Sequence, residues 1–153
     1  LLEASNTKQN VFCTSIEINP VQLKICEQLN YEDLTKDINL KLNYKDLINA
    51  EWNKTTQLNN YFSIQKLLTN IYNFEYILPY HVVYYSGFSH TATPEVWEKE
   101  IFEKMFKHLP IGACVVTHCA KGVYKRMLKE VGFTVETLKG PPRKNEVTRA
   151  IKI

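Results

Sequence analysis

The chain has 153 residues, 44% hydrophobic and 23% charged, with a formal net charge of +3. That is the composition of about one globular domain with a real core and argues against wholesale disorder. The small positive charge tolerates a polyanionic partner without pointing to one. No apolar run approaches the roughly 20 residues that span a bilayer, and no signal peptide is visible.

The opening LLEASNTK reads as the end of a helix followed by a loop, an expectation that the chain is a piece of a larger one. Val11–Ile18 (VFCTSIEI) is a run of β-branched and apolar residues ending at Asn19-Pro20, and predicts a buried strand. Pro20 then opens a predicted helix with Val21, Leu23, Ile25, Cys26 and Leu29 on its apolar side. From about 31 to 60 the chain is polar and rich in Asn and Lys, and is expected to be short helices or a surface insertion. Tyr61–Leu68 predicts another strand, followed by a loop through Asn70, and Tyr80–Tyr85 (YHVVYY) a further strand closed by Gly87.

Pro94 is expected to start one helix with Val96, Trp97, Ile101, Met105 and Phe106 near one face. Ala113–Thr117 (ACVVT) reads as a buried strand, and Val123–Val131 as an amphipathic helix capped by Gly132. Phe133–Leu138 and Glu146–Lys152 alternate as two closing strands around a Gly-Pro-Pro turn. Strands alternating with helices, and central strands almost wholly apolar, predict a single α/β domain over 1–153. Its sheet should be mostly parallel, covered on both faces and finished by an antiparallel hairpin.

Four scattered cysteines, Cys13, Cys26, Cys114 and Cys119, form no CxxC pair, which argues against a zinc knuckle. Cys13 and Cys114 lie in apolar runs and suit a reducing, cytoplasmic setting. Ligands of open α/β sheets bind beyond the carboxyl ends of strands, so three places can carry chemistry. Glu17 lies near the end of the first strand, where an acid can accept both hydroxyls of a ribose; a surface acid near a helix start is an equal alternative. Ser86 and Gly87 leave the YHVVYY strand, beside aromatics Tyr85, Phe88 and Trp97 that could stack on a base. Aromatics there more often belong to the core, and His90 has no convincing partner. Cys119 lies before the last helix without an acid–histidine pair, and Lys121, Lys125 and Arg126 form a basic edge for phosphates or simply a solvated face.

Three stretches carry a family resemblance: VFCTSIEINP, PEVWEKEIFEKMFKHL, and VVTHCAKGVYKRMLKEVGFTVETLKGPPRKNE. They resemble the methyltransferase domain of the tRNA 5-methylaminomethyl-2-thiouridine biosynthesis family. The resemblance implies a Rossmann-like class I fold, S-adenosylmethionine as methyl donor, and the aminomethyl group of a modified wobble uridine in tRNA as acceptor. It places Glu17 at the donor's ribose, Asn70 at its adenine and Gly87 in the donor site. Phe88, Trp97, Lys121, Lys125 and Arg126 fall on the substrate side.

The family's glycine-rich donor loop is expected before residue 1, an N-terminally truncated arrangement whose flank is expected to be either masked by another subunit, as in a homo-oligomer, or unusually apolar. Some members are fused to an FAD-dependent oxidase domain, which this sequence lacks. Ser86 stands where the family has its catalytic aspartate, and Arg143 where a glycine follows Gly-Pro-Pro. A serine is no carboxylate base, and the glycine-rich loop is missing as well, so these 153 residues alone are expected to show no detectable turnover. The alternative is an inactive methyltransferase fold that binds RNA or protein.

Overall fold

The computed structural model describes residues 7–29, 31, 44–87, 92–140 and 145–153. They fall into two compact units, Leu1–Asn73 and Phe74–Ile153.

In the first unit, β1 (Val11–Glu17) pairs in parallel with β3 (Phe62–Leu68), and β2 (Thr55–Asn59) pairs antiparallel on the other side of β3. The order is β1-β3-β2. The β2–β3 turn is tight because the Asn59 side chain accepts the Tyr61 N–H at 2.8 Å. Two short helices, α1 (Leu23–Cys26) and α2 (Tyr44–Asn49), complete the described part. Ala50, Phe62 and Ile64 are buried, with Cys13, Leu47, Leu58 and Tyr61 packed against them. Burial raises the Cys13 thiol above its usual pKa. Lys66 donates to the Ile48 carbonyl at 2.9 Å and lies over the Trp52 ring, so one cation closes the end of α2.

Two expectations change here. The helix after Pro20 is only Leu23–Cys26 and buries none of its residues; Val21, Leu23, Ile25 and Leu29 are all exposed. Within 31–60 the described residues are not a mere surface insertion: Ala50 is core and β2 is part of the sheet. Residues 32–43 lie outside the described set.

The second unit is a four-stranded sheet of order β4-β5-β7-β6: β4 (Val82–Tyr85), β5 (Cys114–Thr117), β7 (Glu146–Ile151) and β6 (Thr134–Lys139). β4 and β5 are parallel; β5–β7 and β6–β7 are antiparallel. The closing hairpin is therefore present. The sheets are mixed rather than mostly parallel, because β2 joins by a hairpin and β7 enters antiparallel beside β5.

Helices α3 (Lys99–His108) and α4 (Gly122–Val131) supply Ile101, Phe102, Met105 and Leu128 to a core with Ala113, Val115, Phe133 and Ala150. Val82 and Tyr84 alternate onto the other face and stay exposed, Tyr84 to 80%, so coverage of both faces is not complete at β4. Lys152 donates to the carbonyls of Phe106 and Leu109 at 2.5 and 2.8 Å and closes the end of α3.

Pro94 does not open one continuous helix. It starts a 3₁₀ turn, Pro94–Trp97, and the extended backbone of Glu98 (ψ 148°) separates this from α3. The break lets Trp97 and Phe102 both reach the Tyr85 ring, at 5.3 and 5.1 Å.

Gly132 ends α4 as expected, with φ +117°. A Cβ there would lie 2.8 Å from Cζ of Phe106, so the position excludes a side chain on both counts.

Candidate functional site

At the carboxyl end of the parallel β1–β3 pair the chain brings Glu17 and Asn70 together. Glu17 pairs with Leu68, and its carbonyl accepts the Thr69 N–H at 3.1 Å, one residue before Asn70. Glu17 Oε1 accepts the N–H groups of Ile18 and Asn19 at 2.8 and 3.0 Å. The carboxylate therefore holds its own strand-end turn. Helix α1 begins six residues on, at Leu23, so Glu17 is not a helix-start acid.

Both lone pairs of Oε1 are used by that turn, and among the described residues Oε2 accepts no hydrogen bond. An oxygen with two open lone pairs fits the two hydroxyls of a ribose. The Asn70 side-chain oxygen accepts the Tyr72 N–H at 3.0 Å and keeps a second lone pair for an amine. The residues present thus fit the nucleoside half of an adenosyl donor.

In the second unit the parallel pair β4–β5 ends on the rung Tyr85–Thr117. Tyr85 and Thr117 turn into the core, and the next residues on each strand, Ser86 and His118, are exposed. The turn after β5 is anchored. The Cys119 N–H donates to Thr117 Oγ1 at 3.2 Å, and Thr148 Oγ1 donates to the Cys119 carbonyl at 2.8 Å. Thr117 and Thr148 are themselves paired across β5–β7 and buried.

The other expected residues divide. Gly87 has a packing reason to be glycine, since a Cβ there would meet Val96 Cγ2 at 3.1 Å and Trp97 Nε1 at 3.4 Å. Trp97, expected on the substrate side, is 4% exposed and packs against Tyr85, Phe102 and Tyr124, so its ring belongs to the core. Lys125 is taken up by Thr137 and Glu146, at 2.9 and 3.0 Å, rather than presented to phosphates. Lys121 and Arg126 are exposed on the first turns of α4, the guanidinium of Arg126 lying over Gly122. Phe88, His90 and Arg143 lie outside the described residues.

His118, Thr117 and Thr148 were not singled out from the sequence. Thr117 ends an evident strand, but only strand register shows what stands next to it. Among the described residues no group of three His, Cys, Asp or Glu side chains could hold a metal, and no helix is long and apolar enough to cross a membrane.

Mixed sheets flanked by helices, with polar groups gathered at the carboxyl ends of parallel pairs, define an α/β nucleotide-type fold. The chain belongs to a family of S-adenosyl-L-methionine-dependent methyltransferases, whose family model matches residues 19–153. It is related to curated proteins named tRNA 5-methylaminomethyl-2-thiouridine biosynthesis bifunctional protein MnmC. That of Pseudoalteromonas atlantica is 37% identical over 68 residues, 44% of this chain and 10% of the relative. That of Psychrobacter sp. is 30% identical over 92 residues, 60% of this chain and 12% of the relative. The chain spans about a tenth of the length of these curated relatives.

Among solved structures, MNMC2 from Aquifex aeolicus matches with a TM-score of 0.71 at 17% identity, over 95% of this chain and 44% of that one. DesVI of Streptomyces venezuelae matches at 0.50 and 13% identity, over 98% of this chain and 87% of that one. These likenesses show the α/β methyltransferase fold.

Proposed function

We propose that the protein transfers a methyl group from S-adenosylmethionine to the aminomethyl group of a modified wobble uridine in tRNA. The observation that carries this reading is the convergence of Glu17 and Asn70 at the carboxyl end of β1–β3, in the chemistry a nucleoside requires. Oε2 of Glu17 takes the ribose hydroxyls, and the Asn70 amide oxygen accepts from the exocyclic amine of adenine. The bound donor supplies an electrophilic methyl on a sulfonium. Ser86 orients the acceptor amine through a hydrogen bond, and Lys121 and Arg126 meet tRNA phosphates. Relatives named for tRNA 5-methylaminomethyl-2-thiouridine biosynthesis support the choice of acceptor.

The test is donor binding by calorimetry on the intact natural protein, with methyl incorporation into tRNA carrying 5-aminomethyl-2-thiouridine. Binding together with incorporation into that tRNA, and not into tRNA lacking the aminomethyl group, is the expected result. Ser86 at the acid's position favours a second reading, a fold kept only to bind RNA or protein. On that reading tRNA or a protein partner binds while the donor does not.

A further inference from the structure

We propose that His118 is the proton acceptor of the methyl transfer, supplying the function that Ser86 cannot. The inference rests on the methyltransferase reading above and concerns the acceptor side of that site. The last rung of the parallel β4–β5 pair is Tyr85–Thr117, and strands in such a pair run about 4.8 Å apart. Ser86 and His118 are the first residues beyond this rung, each exposed, while Tyr85 and Thr117 turn into the core. Both thus follow directly on residues that are paired across the two strands. The position that lacks a base thus has an imidazole one residue beyond the end of the neighbouring strand.

Among the described residues, two neighbouring titratable groups are otherwise placed. The Tyr85 hydroxyl is committed to the Val96 carbonyl, and Cys119 is half-buried. His118 also stands on a fixed backbone. It lies between Thr117, the last residue of β5, and Cys119, whose N–H and carbonyl are both held by threonine hydroxyls. A general base must be held within hydrogen-bond reach of the proton it takes, and an anchored turn provides that hold.

The step balances as follows. The aminomethyl group arrives as an ammonium, and a neutral ring nitrogen of His118 accepts one of its protons. The freed nitrogen lone pair forms the new N–C bond to the donor methyl. The C–S bond breaks with its electron pair left on sulfur, which loses its positive charge. That charge passes to the secondary ammonium product, and His118 returns its proton to water.

Two measurements test this. In the first, the protein is labelled at its four histidine rings, and 5-aminomethyl-2-thiouridine nucleoside is added without donor. The ring resonances of His118, identified by their loss in His118→Ala, are expected to shift. Resonances of His118 that stay still overturn the assignment whatever the activity.

In the second, His118→Ala in the intact natural protein is expected to keep its melting temperature and donor affinity. Its kcat should fall by a factor of about 10² or more. Adding Ser86→Asp to His118→Ala should recover at least about tenfold of that loss, because a carboxylate then stands where proton acceptance is needed. A variant that had merely lost packing would gain nothing from the aspartate. Turnover that survives His118→Ala, or a loss that Ser86→Asp leaves untouched, overturns the role of His118 alone. A wild-type protein that neither binds donor nor incorporates methyl overturns the methyltransferase reading and this inference with it.

Discussion

Replacing Glu17 by glutamine separates two jobs that its carboxylate does at once. Oε1 holds the strand-end turn through Ile18 and Asn19, at 2.8 and 3.0 Å. Oε2 is the oxygen assigned to the donor ribose. Glutamine keeps one amide oxygen for the turn, but presents an NH₂ where the ribose hydroxyls need an acceptor. Stability should therefore change by less than about 0.5 kcal/mol, the usual range for a surface change that breaks no special feature.

Affinity should lose the ribose hydrogen bonds to a charged oxygen, at least about 1.5–3 kcal/mol, the size of one such bond. At about 1.4 kcal/mol per decade that is a Kd weaker by roughly 10- to 150-fold. Glu17→Ala loses the turn bonds as well, so its stability should fall by about 1 kcal/mol on top of the same affinity loss. Calorimetry with S-adenosylmethionine on the intact natural protein reads the affinity, and thermal melts read the turn. Equal donor affinity in wild type and Glu17→Gln would reduce Glu17 to a turn residue. A melt for Glu17→Gln as low as that for Glu17→Ala would show that Oε1 does not hold the turn.

Three further outcomes follow from the second unit. Gly132→Ala must adopt φ +117° and push the Phe106 ring from 2.8 Å; backbone strain of about 1–2 kcal/mol and an off-rotamer ring of about 0.5–1.5 kcal/mol predict a melting temperature lower by roughly 5–10 °C. A drop under about 2 °C would refute the contact. Thr148→Val removes the donor to the Cys119 carbonyl at nearly constant volume. It should destabilise by about 1–2 kcal/mol in urea titrations and lower kcat with KM unchanged; unaltered stability would count against the anchored turn.

Burial raises the Tyr76 hydroxyl pKa well above its ordinary value, with Tyr80 adding to the rise. The folded state then prefers the neutral phenol, while the unfolded chain ionises near pH 10. That part of the stability is fully present below about pH 10 and is lost as pH climbs further. Tyr76→Phe should flatten the fall in melting temperature above pH 10, and parallel alkaline profiles for the two proteins would refute the assignment.

Most strands could be read in the sequence because their β-branched and apolar runs are local. β1, β3, β4, β5 and the β6–β7 pair all fall within a few residues of the predicted segments. β2 did not announce itself: TTQLN is polar, and it becomes a strand by pairing with β3, a tertiary cause rather than a propensity. The break at Glu98 was equally hidden, since Val96 through Met105 fit one helical stripe. What decides there is the pull of Trp97 and Phe102 on the same Tyr85 ring.

At the candidate site, Glu17 was legible as an acid near the end of a strand. Trp97 was misplaced because an aromatic near a strand end gives the same pattern in a core as in a stacking site. His118 could not be found at all from one dimension. Its interest lies in standing one residue beyond a rung shared with Tyr85, and register is not written in either strand alone.

The tethering of Cys119 divides the constraint on that turn unevenly. Its shape is set by hydroxyls from residues 117 and 148, both acting on main-chain atoms. The side chain at 119 contributes nothing to those two bonds. Drift at position 119 is therefore cheap for the architecture, whereas drift at 148, 29 residues away in the chain, is not. One of the two residues that hold the turn after His118 is not among its neighbours in sequence, and anyone redesigning this loop would have to include the strand beside it.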